Sequence, residues 1–155
     1  PLKAMDIRAT CAGVEGVWFG GRGRANEGLD LFAEVGTELH AMNGGDVAAV
    51  NTDPDGPVDH AVIKSEGADR FFIYAHLRTT VVEEGGSVDE GDLIGETGAS
   101  GNACDTSCSC GPSHVHLEVR EGDSQWYNAD PQDPEDYIGA DFDSTGTPIS
   151  DECGN

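Results

Sequence analysis

An antiparallel all-β domain is the fold class this sequence predicts, and three observations predict it. The 155 residues include 22 glycines and 7 prolines, enough to punctuate the chain with tight turns. Short runs of β-branched and aromatic residues recur between them. No long helical or heptad periodicity stands out, and no internal repeat is visible. The length suits one domain with a modest core.

Taken in order, residues 1–16 read as a lead-in, 17–125 as the β domain and 126–155 as an acidic, turn-rich tail. Asn26, Gly28 and Asp30 fall on one face of an extended segment. The middle position has no side chain, so two ligand-capable groups flank an empty place with room for an ion. A hairpin is expected from Glu38–Met42 to Asp46–Val50, turning at Asn43-Gly44-Gly45, followed by a polar, proline-containing loop over 51–59. The apolar run Phe71-Phe72-Ile73 leads into Tyr74-Ala75-His76-Leu77. Alternation there sets His76 opposite Ile73, Ala75 and Leu77, as the partly exposed member of a buried strand.

The most informative segment is Ser113-His114-Val115-His116-Leu117-Glu118-Val119-Arg120. Alternation puts both imidazoles on one face and Val115, Leu117 and Val119 on the other. An apolar face anchored in a core, with paired histidines opposite, is how a sheet presents metal ligands or acid–base groups. His40 and His60 stand outside these patterns and are read as structural or surface residues. In the tail, Asp141, Asp143, Thr145, Gly146 and Glu152 fall at calcium-loop positions. Pro148 at the usual hydrophobic position and the lack of flanking helical patterns favour an exposed acidic tail instead.

Asp and Glu number 30 against 8 Lys and Arg, for a formal charge of −22. Such a surface repels nucleic acid and anionic lipid, so neither nucleic acid nor membrane insertion is expected. It suits a high-salt habitat or simple solubility in a secreted protein. The chain opens on Pro1 and has no apolar run long enough for a signal or membrane segment, so a processed or excised piece is expected. Five cysteines, with Cys104, Cys108 and Cys110 crowded before the paired histidines and Cys11 and Cys153 near the ends, point to a secreted, extracellular or periplasmic location.

In their order along the chain these pieces resemble the lysostaphin/LytM-type zinc endopeptidases, the family with the duplicated hybrid motif. That family reads H-x-G-x-D, a G-T-led hairpin, Y-x-H-L, a G-x-x-V-x-x-G-x-x-I-G-x-x-G block and H-x-H-x-E-x-R. Here stand Asn26-Glu27-Gly28-Leu29-Asp30, then Gly36-Thr37 with Ala41 and Gly45-Asp46-Val47. Tyr74-Ala75-His76-Leu77 follows, then Gly85–Val88 and Gly91–Gly98, and last His114–Arg120. Trp18–Arg22 looks like the family's F-G-x-R entry. The resemblance covers roughly residues 17 to 120 and implies the family's antiparallel β-sheet or sandwich.

It also implies a zinc ion held by position 26, Asp30 and His116, with His76 and His114 as the acid–base pair. The implied substrates are peptidoglycan cross-links or glycine-rich peptides. One departure stands out: Asn26 replaces the family's first zinc-binding histidine, and an amide oxygen is a poorer zinc ligand than imidazole. A weakened but working site, a degenerate binding domain and a deliberate substrate-trapping substitution all fit that exchange. A second metal site, from the three clustered cysteines with His114, is one reading of that loop. Since the resemblance already gives His114 a role, a disulfide-stapled loop is preferred, with Cys11–Cys153 tying the ends. Three uses follow from the sequence: a zinc endopeptidase, a non-catalytic domain binding wall glycopeptide or a partner hydrolase, and a metal-assisted enzyme on acidic polysaccharide.

Overall fold

The structure is a computed structural model that describes residues 6–7, 27–52, 59–98, 100 and 114–138. Its strands are β1 (Asp6–Ile7), β2 (Leu29–Phe32), β3 (Glu38–His40), β4 (Gly45–Asn51), β5 (His60–Ser65), β6 (Arg70–Ala75), β7 (Leu77–Thr80), β8 (Ser87–Val88), β9 (Leu93–Thr97), β10 (His114–Glu121) and β11 (Asp130–Gln132). One helical turn, α1 (Glu135–Ile138), follows them. Every strand pairing is antiparallel, as the turn-rich sequence predicts. Among the described residues no helix is long and apolar enough to cross a membrane.

The larger sheet runs β1-β2-β10-β6-β5-β4-β8, with β11 beside the C-terminal half of β10, and the smaller runs β3-β9-β7. The main core joins them. Leu31, Phe72, Tyr74, Leu117 and Ile63 of the large sheet pack in one cluster with Leu39, Leu77 and Ile94 of the small one. Each alternate residue of β10, Val115, Leu117 and Val119, is at most 3% exposed, so that strand's period-two reading holds. The opposite face of the large sheet carries a smaller apolar cluster of Val62, Phe71, Ile73 and Ala129, with Trp126 packed against it.

Two local expectations are corrected. The Glu38–Met42 and Asp46–Val50 segments do not form a hairpin: β3 pairs with β9, and β4 pairs with β5 and β8. The chain passes between sheets at residues 41–44. Ala41 is wholly buried, its N–H donates to Asp92 O at 2.8 Å and its carbonyl accepts from Gly91 N–H at 2.9 Å. Gly45 then packs against the Lys64 carbonyl so closely that no Cβ fits, which commits β4 to β5. A local turn signal specifies that the chain reverses, not which strand it pairs with next.

His76 is the second correction. It is not an alternating strand residue but the corner between β6 in one sheet and β7 in the other, with φ of +65°. That left-handed backbone is uncommon outside glycine, though His is among the side chains enriched there. The bend turns the chain from sheet to sheet and takes His76 out of the two-residue period, and His76 is 7% exposed rather than partly open. Backbone bonds pin both sides of the corner, Leu77 N–H to Asp59 O at 3.1 Å and Gly98 N–H to His76 O at 2.9 Å.

Candidate active site

One cross-strand row carries the centre. Asp30 on β2 lies opposite His116 on β10, His116 opposite Ala75 on β6, and Ala75 opposite His60 on β5. Residues directly opposed across antiparallel strands share a face. Asp30, His116, Ala75 and His60 therefore line one face of the large sheet, beside the corner that supplies His76. His114, two residues before His116, shares its face.

The geometry brings four of the sequence-selected groups together. His116 Nδ1 lies 2.6 Å from Asp30 Oδ1, and His114 Nε2 lies 3.8 Å from that same oxygen. The His76 ring centroid is 4.6 Å from that of His114 and 6.1 Å from that of His116. His76 donates its Nδ1–H to Ser100 O at 2.7 Å. That bond fixes the tautomer and leaves Nε2 as the nitrogen able to take up or hand over a proton. Asp30 and His114 are at most 4% exposed. The expectation that His76 is partly exposed does not hold, and His114 is buried as well.

Gly28 plays a different part from the one its neighbours suggest. The space its missing side chain leaves is filled by protein. A Cβ there would stand 2.8 Å from His116 Nε2 and 2.9 Å from Glu118 Cγ, and still nearer the Leu117 carbonyl oxygen. Glycine admits β10 against the start of β2.

Glu118 and Arg120 belong to the site, and the sequence reading gave them no role. Glu118 Oε1 is 3.0 Å from His116 Nε2, and Glu118 Oε2 accepts from Arg120 Nε at 2.6 Å. Arg120 also donates to Glu27 and, at 3.4 Å, to Ala129 O. The chain Asp30–His116–Glu118–Arg120–Glu27 is a continuous alternation of acidic and basic groups. Burial pushes His116 down, but the two carboxylates on its nitrogens outweigh this and lift its pKa to about 9. Burial pushes Glu118 up, but His116 and Arg120 outweigh it and hold the carboxyl below its usual value. The signal for both residues was the parity of β10, since positions 114, 116, 118 and 120 share one face.

The resemblance implies zinc, and the donors partly fit it. A buried carboxylate oxygen and an imidazole nitrogen aimed at each other are the chemistry zinc takes. At 2.6 Å they share a proton, whereas two ligands of one tetrahedral ion at bonds of ~2.0–2.1 Å stand about 3.3 Å apart. A cation would replace that proton. Among the described residues no group of three or more His, Cys, Asp or Glu forms a complete cage. Asn26 lies outside the described residues, as do all five cysteines and the 141–152 segment. His40 takes no part in this row, its Nδ1 donating to Gly91 O at 2.9 Å, and His60, at the far end of the row, has its ring 5.5 Å from that of Trp126.

Comparison with known proteins agrees with this fold. The sequence pattern of peptidase family M23 matches residues 24–134, well over half of the chain. No curated protein sequence matches it. Among solved structures, the catalytic domain of a point mutant of EnpA, a prophage-encoded M23 protein from Enterococcus faecalis, is 25% identical. It has a TM-score of 0.61 and covers 89% of this chain and 92% of that one. The catalytic domain of the antimicrobial peptidase lysostaphin from Staphylococcus simulans has a TM-score of 0.64 at 18% identity, covering 90% and 92%. A chain of the SpoIIQ–SpoIIIAH pore-forming complex has a TM-score of 0.59 at 20% identity, covering 82% and 69%.

Proposed function

This chain belongs to peptidase family M23, and we propose that it is a secreted zinc-dependent endopeptidase that hydrolyses peptidoglycan cross-link or glycine-rich peptides. The observation that carries this reading is the meeting of His114 and His116 at the buried Asp30 carboxylate, with the His76 ring beside theirs. The catalytic character of the EnpA and lysostaphin domains supports it. Asp30 and His116 would hold the ion, with Asn26 contributing its amide oxygen or yielding to water. Zinc held there supplies Lewis-acid polarisation of a peptide carbonyl and makes water acidic enough to attack near neutral pH.

The chain's own groups do the rest. His114, beside the Asp30 carboxylate, orients the attacking water and takes its proton. His76, steadied through Nδ1 by Ser100 O, stabilises the developing oxyanion or gives a proton to the leaving amine. The large negative charge favours substrates bearing amino groups over anionic polymers.

A second reading rests on Asn26: a degenerate domain of the same fold that binds wall glycopeptide or a partner protein. The fold of the pore-complex chain is compatible with such a use. Bound zinc measured after purification, together with hydrolysis of purified peptidoglycan, separates the two. Zinc at one equivalent with peptide release supports the enzyme. No hydrolysis by either the natural chain or its Asn26→His form supports the binding domain.

A further inference from the structure

A histidine that gives Nδ1 to a cation must carry its ring proton on Nε2, and something must accept that proton for the tautomer to persist. In this chain Glu118 Oε1 stands 3.0 Å from His116 Nε2, on the opposite side of the ring from Asp30. Glu118 is itself held: its other oxygen accepts from Arg120 Nε at 2.6 Å, and Arg120 is anchored in turn on Glu27. Gly28 leaves this arrangement its room, because a Cβ there would stand 2.8 Å from Nε2 and 2.9 Å from Glu118 Cγ. We infer that Glu118, clamped by Arg120, is a positioning residue that keeps the proton of His116 on Nε2 and so presents Nδ1 to a zinc ion shared with Asp30. This rests on the zinc reading proposed above and goes beyond it by giving the last two polar residues on that face of β10 a task.

Glu118→Gln tests it because the shape is kept and the polarity is not. Arg120 only donates, so it takes the single amide oxygen and leaves the amide N–H₂ facing His116 Nε2. That group donates to Nε2, drives the ring proton to Nδ1 and blocks the nitrogen the ion needs. Zinc affinity, measured by competition with a chromogenic chelator, should fall about 10- to 100-fold. Adding Arg120→Ala frees the amide to rotate its oxygen toward His116, so the double variant should bind zinc more tightly than Glu118→Gln alone. A merely structural role for the pair predicts the opposite order.

The same question can be put to the wild-type chain without any substitution in the clamp. Long-range 1H–15N spectra of the zinc-loaded protein should show His116 protonated on Nε2 and coordinated through Nδ1. Unchanged affinity in Glu118→Gln, a double variant weaker than the single, or coordination through Nε2 would each overturn the positioning role while leaving the zinc reading intact. Absence of zinc binding by both the wild-type chain and its Asn26→His form would overturn both.

Discussion

Replacing Gly28 by alanine inserts one methyl group where β2 begins to pair with β10. The new Cβ would stand 2.8 Å from His116 Nε2 and 2.9 Å from Glu118 Cγ, and closer still to the Leu117 backbone oxygen. Ordinary contact between such atoms is about 3.5 Å, so the strands must part by about 0.7 Å, and by more at the carbonyl. Asp30 and His116 are cross-strand partners of that same ladder, 2.6 Å apart. The same displacement would open their bond to about 3.3 Å, past the usual hydrogen-bond range. Overpacking of this kind costs about 1–3 kcal/mol. Against it runs the gain from a stiffer unfolded chain, about 0.4–1 kcal/mol when alanine fits the native backbone. The clash wins, because its strongest component is a backbone oxygen that cannot rotate away, and a net loss of about 1–2 kcal/mol is expected. With a urea slope of about 1–3 kcal/mol per molar, the unfolding midpoint should drop by roughly 1 M with the slope unchanged. Zinc affinity should fall in the same variant. Gly67→Ala is the control: at φ of +68° alanine is strained, but nothing lies within 4 Å of its Cβ, so stability should fall while zinc affinity holds. A Gly28→Ala protein with an unmoved midpoint and undiminished zinc affinity would refute the close-packing account of this glycine.

Other expectations follow from single contacts. Tyr74 is 1% exposed and its hydroxyl oxygen accepts from Met42 N–H at 2.9 Å, with burial holding the phenol neutral far into alkaline pH. Tyr74→Phe leaves that part-buried donor without its partner and should cost about 1–3 kcal/mol in urea unfolding; an unchanged midpoint would mean water replaces the phenol. Asn26→His should raise zinc affinity clearly in a chelator competition, and no change would show that position 26 does not reach the ion. His114→Ala and His76→Ala should each lower turnover on peptidoglycan by about 10²–10⁴-fold, and His116→Ala should lose zinc as well. Because both acid–base histidines are buried, the alanine variants should also unfold more easily, so turnover must be compared under conditions where circular dichroism shows them folded. Full hydrolysis by His114→Ala would remove it from the chemistry.

Features that a strand writes locally were legible before any fold was known. β10 shows its two faces in eight consecutive residues, because alternation is a property of the extended backbone and needs no partner to be visible. The paired histidines, the apolar anchor opposite them and the acidic Asp30 on another extended segment could therefore be read directly, and the order of these motifs carried the family. Glu118 and Arg120 were equally legible by parity. They went unassigned because their task depends on contacts with His116, Glu27 and one another rather than on residue type. Long-range contacts set the rest. They paired β3 with β9 in place of β4, since both choices satisfy the same turn and only burial of Leu39 and Ala41 in a two-sheet core separates them. They made His76 a corner with a left-handed backbone, where a two-residue period had placed a strand. And they filled the gap at Gly28 with a neighbouring strand: an absent side chain tells how near something comes, while what comes near is set by the register of a strand far along the chain.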